Sequence, residues 1–206
     1  MKMYKKVMAA ALAGAMTVSM SVTAFAADDD GYILKATNED SKSSDNDLVI
    51  AIEGSVSSMD PANIPDTNAI SATRGVYETL VSFDENQKLT GKLAESWEVS
   101  DDSLTYTFKL RKGVKFQDGT DFNAAAVKAN YDRVVNKDNN LRQRRTFIVT
   151  NEDGSETPRV DSIETPDDYT LVIKLTQAWA PFINRLTQFC IISPAALEEY
   201  GNDIMN

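Results

Sequence analysis

Three arginines within four residues, Arg142, Arg144 and Arg145, with Phe147 close behind, form the most anomalous local composition in an otherwise acidic chain. A guanidinium is a planar fork of donors that matches a carboxylate bidentately, so the chemistry on offer is capture of an acid group. The same run reads equally as a solvated basic face balancing nearby acids. A second stretch runs from Ser55 to Asp60, with Ser57 and Ser58 inside it, and resumes at Asp66, Thr67 and Asn68. Its hydroxyls, its carboxylate and the free N–H groups of a helix start can fix the polar ends of a small zwitterion, or can hydrogen-bond the loop beneath a strand end. Catalysis is poorly served. There is no histidine, which removes the usual general base and the commonest metal ligand. The acid pairs Asp101-Asp102, Glu152-Asp153 and Asp167-Asp168 sit in turns, where Asp bonds its own backbone. No nucleophile elbow, phosphate loop or Cys/His cluster with ligand spacing occurs. The expectation is a binder with no catalytic residue, no metal and no cofactor.

The elements that must position these groups are most legible over residues 93–133. Glu98 and Val99 lead into the turn 100–103, after which Leu104, Tyr106, Phe108 and Leu110 alternate with polar residues, so the pair reads as a hairpin. After the turn signal 117–120, Asn123 can cap a helix whose Ala124, Val127, Tyr131 and Val134 share one face. Upstream, 48–52 is an apolar run short enough to be a buried strand, and the serine-rich loop leaves its end, where α/β proteins place ligands. Asp66 or Thr67 caps a helix expected to carry Ile70, Thr73, Tyr77 and Leu80 on one face. Residues 149–158 read as loop, a second hairpin spans 160–175, and 178–186 has helical spacing. A short strand at 190–192 precedes a last helix opened by Ser193-Pro194 and stopped by Gly201. Trp97, Trp179 and Tyr106 read as packing residues rather than ligand platforms.

The address is read from the first residues. Lys2, Lys5 and Lys6 precede an apolar run and then Ala24-Phe25-Ala26, the pattern of a cleaved secretory signal peptide over residues 1–26. Residues 27–46 read as a disordered acidic tether. No cysteine stands at the cleavage site to take a lipid, so the mature protein is expected to be periplasmic or otherwise extracytoplasmic. Loss of three leader lysines takes the formal net charge from −10 to −13, which argues against nucleic acid as a partner. The lone cysteine, Cys190, lies in an apolar run and reads as a buried thiol.

The order LAESWEVSDD, LTYTFKLRKGVKF and DGT-x-FNAxxVK resembles the solute-binding proteins of bacterial ABC importers for peptides, opines and nickel. The run FQDGTDFNAAAVKAN, with Asp132-Arg133 just after it, is similar in particular to the glutathione-binding branch of that family. Met59-Asp60-Pro61 stands where the family has Leu-Asp-Pro, and the match covers residues 47–203. The resemblance implies an α/β, periplasmic-binding-protein-like fold of type II, peptide-binding cluster. Residues 47–206 would be the N-terminal part of an incomplete first lobe, with a mixed sheet and flanking helices, and the second lobe and C-terminal segment would be missing. It also implies capture of glutathione or a small peptide and delivery to the transmembrane subunits of an ABC permease, by a protein monomeric at full length. Glutathione, with two carboxylates and one ammonium, suits an arginine at 142–145. The implied ligand-binding residues are Ser57, Ser58, Asp66, Thr67, Asn68, Arg142, Arg144, Phe147 and Phe189. Phe189 lies in the stretch 187–190, which in relatives runs along the cleft but is here slightly shorter and lacks their proline. Dipeptide, oligopeptide or nickel-chelate binding is the alternative within the family. A secreted peptide hydrolase is the alternative outside it.

Overall fold

A computed structural model describes residues 54–201, Ser57 and Pro65 excepted. The leader, the tether, the strand expected at 48–52 and Ser57 lie outside the described residues. The first helix of the described residues, α1 (Thr67–Arg74), is capped by Asp66, whose carboxylate accepts the Ala69 N–H at 2.9 Å. It is shorter than its apolar spacing predicts. The Thr73 carbonyl accepts from both Val76 and Tyr77 at 3.0 and 2.9 Å, closing the helix at Gly75. The chain then becomes extended as β1 (Glu78–Thr79) and β2 (Val81–Phe83). In consequence Ile70 and Val76 are 40% and 44% exposed, while Leu80 is fully buried outside any helix.

β2 returns as β3 (Leu89–Gly91) in an antiparallel pair. The Asp84 carboxylate accepts the N–H groups of Asn86 and Lys88 in the turn between them. Gly91 lies so close to the next strand that a Cβ there would fall 2.3 Å from the Ala94 carbonyl oxygen.

The central hairpin forms as expected. β4 (Ala94–Val99) pairs antiparallel with β5 (Thr105–Leu110), and Tyr106, Phe108 and Leu110 are buried on one face. α2 (Ala124–Val135) starts at Asn123, whose side chain accepts the Ala126 N–H at 2.9 Å. Ala124, Val127 and Val134 are buried along it. Asn130, which periodicity did not single out, is also buried. Its amide donates to the Ile192 carbonyl at 2.7 Å and accepts from the Ile192 N–H at 3.0 Å, pairing a helix side chain with a distant backbone as a strand would.

A 3-10 turn at Lys137–Asn139 leads to α3 (Arg144–Phe147). The stretch read as loop contains a hairpin, β6 (Ile148–Thr150) with β7 (Glu156–Pro158). Exposure of most of its side chains removes the alternation that marks a strand in sequence. β8 (Val160–Asp167) and β9 (Thr170–Leu175) complete a four-stranded antiparallel sheet in the order β4-β5-β9-β8. Tyr106 faces Ile173 and Phe108 faces Leu171 across its middle. α4 (Phe182–Arg185) and a 3-10 turn at Leu186–Gln188 follow. β10 (Cys190–Ile191) then pairs with β1, and α5 (Pro194–Tyr200) is capped by Ser193 and ended by Gly201 at φ 59°. Phe108, Phe122, Phe147 and Phe182 are each at most 1% exposed and anchor one continuous core.

Candidate functional site

An open cleft of ≈ 760 Å³ is bordered by the loop at 61–64, α1, the β2-β3 turn, and the segments 142–146 and 185–190. Gln143 joins three of these borders. Its N–H donates to the Ala62 carbonyl at 2.9 Å and its side-chain amide to the Gln188 carbonyl at 2.7 Å. The groups flanking Gln143 are therefore carried on pinned backbone. Arg142 and Arg145 line the cleft, and so do Arg74, Arg185 and Lys92, three cations that sequence reading did not single out. Nothing in the local sequence of Arg74 or Arg185 marks them, because they enter the cleft from positions 111 residues apart in the chain. The acids on the lining are Glu78 and Asp84. Tyr77, also on the lining, has its phenol pushed up by burial and then by the Asp60 charge.

The serine-rich loop supports the cleft from behind. Asp60 is 2% exposed and its carboxylate meets both terminal nitrogens of Arg133, at 2.6 and 3.2 Å. It also accepts the Ala62 N–H at 2.9 Å, while the Ser58 hydroxyl oxygen accepts the Asp60 N–H at 3.2 Å. A carboxylate this buried needs such partners, and here they fix the course of the loop that brings Pro61, Ala62 and Ile64 to the cleft. Asp66 is the α1 cap, and Thr67 opens the helix with its carbonyl accepting the Ser71 hydroxyl at 3.0 Å. Asn68 packs beside Gly54, where φ is +106° and a Cβ would stand 2.6 Å from the Asn68 amide nitrogen. Ser58, Asp66, Thr67 and Asn68 thus lie in the support of the cleft rather than on its lining.

The arginine run splits. Arg144 gives its fork to Glu156, with nitrogen to oxygen distances of 2.7 and 2.8 Å, and its Nε donates to the Val135 carbonyl at 2.8 Å. These bonds hold the Glu156 carboxyl below its ordinary range and raise Arg144. Arg144 is a brace between α2, α3 and β7, not part of the cleft lining. Phe147 and Phe189, expected beside a ligand, are 1% and 3% exposed. Their rings meet edge to face at 5.2 Å, and Tyr131 closes on Phe147 at the same distance. Rings buried this far present no face to a solute, so both belong to the core beneath the cleft.

A mixed α/β lobe of partial sheets with a polar cleft at its loop ends is the frame of a solute-binding protein. The chain belongs to the bacterial extracellular solute-binding proteins, family 5, whose middle region matches residues 88–205. It is similar to the glutathione-binding protein GsiB of Escherichia coli (strain K12), with 42% identity over 160 residues, covering 77% of this chain and 29% of that protein. The chain thus spans less than a third of the length of the curated relatives it matches. Among solved structures it is similar to the binding protein AgaA of A. tumefaciens R10 in complex with agropinic acid, with TM-score 0.63 and 29% identity, over 71% of this chain and 28% of that one. It is similar also to the periplasmic binding protein DppA of Helicobacter pylori in complex with the peptide STSA, with TM-score 0.56 and 30% identity, over 72% of this chain and 31% of that one.

Proposed function

We propose that this chain contributes first-lobe residues to an extracytoplasmic substrate-binding protein of an ABC importer, which captures glutathione or a small peptide and hands it to the transmembrane subunits of a permease. The observation that carries this reading is the set of arginines lining the cleft, in a chain of this family with 42% identity to a glutathione-binding protein. Guanidinium forks suit the carboxylates that every peptide, glutathione included, carries. Function then consists of closing two lobes on the solute, a shift of population between open and closed forms with no covalent step. The protein acts as a monomeric binder rather than an enzyme, after removal of its leader.

The test is thermal unfolding of the whole protein that carries this chain, with and without reduced glutathione, a dipeptide or a nickel chelate. A ligand that binds only the folded state at about 100 times its Kd adds about 2.7 kcal/mol and raises the midpoint. Glutathione is expected to do so. A shift with the dipeptide or the chelate alone would keep the binding-protein reading and remove glutathione as the solute. No shift with any of the three would overturn the reading.

A further inference from the structure

Three borders of the cleft are fastened from behind by one helix. On α2 the Arg133 guanidinium holds Asp60, and with it the loop that carries Pro61, Ala62 and Ile64. The Val135 carbonyl accepts from Arg144 Nε at 2.8 Å and holds the start of α3, beside Arg142 and Arg145. Asn130, three residues before Arg133, holds the third border. Its side chain bonds both backbone groups of Ile192, at 2.7 and 3.0 Å. Ile192 stands two residues beyond Cys190, about 7 Å along an extended strand, and Arg185, Thr187, Gln188 and Cys190 all line the cleft.

Asn130 itself is not on that lining. It is 2% exposed, on a helix whose Ala126, Val127 and Val134 are buried with it. An amide in such a place is costly unless its hydrogen bonds are made. Here both donors are used, because Nδ2 gives to the Ala126 carbonyl at 2.9 Å as well as to Ile192, so the side chain is fixed from two sides. β10 pairs with β1 over two residues, Glu78 with Ile191 and Thr79 with Cys190, and the Asn130 amide adds the grip that a further strand would give.

We propose that Asn130 is a positioning residue for solute binding: it touches no solute, and it sets the distance between the 185–190 wall and the two borders that α2 also carries. This rests on the binding-protein reading and adds to it a determinant outside the cleft. A wall released from α2 samples wider spacings. Only the molecules with the wall in place bind, so the apparent affinity falls by that fraction. By linkage, a solute that binds the fastened form makes the fastening open less often.

The experiment measures binding and local opening in the whole protein that carries this chain. Reduced glutathione is titrated calorimetrically into wild type, Asn130→Leu and Ile173→Ala, well below every unfolding midpoint. If wild type binds the dipeptide or the nickel chelate instead, that solute takes its place. Leucine keeps the branching of asparagine and loses its bonds, whereas Ile173 is buried in the central sheet and off the cleft lining, so its variant controls for lost stability alone. Asn130→Leu should weaken binding about five- to tenfold, and Ile173→Ala should leave the Kd within about twofold. Alkylation of Cys190 by iodoacetamide, followed at its own peptide by mass spectrometry, should quicken several-fold in Asn130→Leu alone. Should Asn130→Leu not fold, hydrogen exchange in wild type decides: the solute should slow the Ile192 amide more than the Phe108 amide of the central sheet. An Asn130→Leu variant with unchanged Kd or unchanged Cys190 alkylation, an equal loss of affinity in Ile173→Ala, or equal slowing at Ile192 and Phe108 overturns the inference and leaves the transport reading standing. A wild type that binds none of the three solutes removes both.

Discussion

Asp60 and Arg133 lie 73 residues apart in sequence and meet with side chains 4% and 9% exposed. Removing one partner of such a pair strands the other charge in the interior. Asp60→Ala is expected to cost about 3–5 kcal/mol in chemical denaturation, and the double variant with Arg133→Met to recover part of that loss. A deficit under about 1 kcal/mol would mean that water reaches the pair. At this scale sequence reading went only as far as residue type. Asp60 was recognisable as part of a polar loop, but its partner on α2 was not, because an ion pair across that separation leaves no local mark. Arg144 and Arg145 illustrate the same limit. They are identical in type and adjacent in chain, yet the rotation of about 100° between helix neighbours sends the first to Glu156 and the second to the cleft. The burial of Phe147 and Phe189 was illegible for a related reason, since an aromatic ring suits a core as well as a cleft.

Elements whose residues alternate between core and solvent were legible, and those without that contrast were not. The β4-β5 hairpin, the Asn123-capped α2 and the Ser193-Pro194 start of α5 each carry their signal within a few residues. β6 and β7 have little buried surface to alternate, and β1 exists only because Cys190–Ile191 arrive beside it from the far end of the chain. Two devices that join elements can be tested. Gly91→Ala drives a methyl into the Ala94 carbonyl, a backbone atom that cannot rotate away, and should cost about 1–3 kcal/mol by overpacking. Urea melts of the variant and wild type would measure it. The second device ties the loop at 116–121 to α5, where the Asp118 carboxylate accepts the hydroxyls of Ser193 and Thr120. These bonds, Ser193 first, hold Asp118 below its usual 3.8. A depressed acid stabilises the fold above its unfolded pKa and loses that contribution as pH falls through the folded one. Ser193→Ala should therefore lower the midpoint most at neutral pH, with the gap to wild type narrowing as pH falls below about 4. A gap that stays constant as pH falls would show that Asp118 is not the acceptor that matters.

Across the described chain, a cleft lined by five cations in a sequence of net charge −10 leads us to expect that solute binding depends on salt. At physiological ionic strength, charges beyond about 8 Å are largely screened. Raising sodium chloride from about 50 mM to about 500 mM should weaken binding of a net-anionic peptide such as glutathione several-fold while leaving a net-neutral peptide nearly unaffected. Titrations at both salt concentrations decide it, and equal salt dependence for the two peptides would place the bound carboxylates away from the arginines. The fold class was readable through the family resemblance that 93–133 carries, and its strand, turn, strand, loop and helix succession persists in the structure. The cleft was not, because its lining is assembled from segments that only the tertiary structure brings together.

The chain has two tryptophans, and they stand in different settings. Trp97 lies on β4 of the central sheet, whereas Trp179 sits beneath the Arg159 guanidinium at 4.1 Å, just before α4. A cation stacked on an indole perturbs the dipole that governs its emission wavelength, so the two fluorophores report separately on the sheet and on the segment that carries Arg185. Trp97→Phe and Trp179→Phe variants, melted side by side, would give coincident curves if the sheet and the cleft wall unfold as one cooperative unit. An earlier transition for Trp179 would identify the cleft wall as an independent unit, able to loosen while the sheet stays folded.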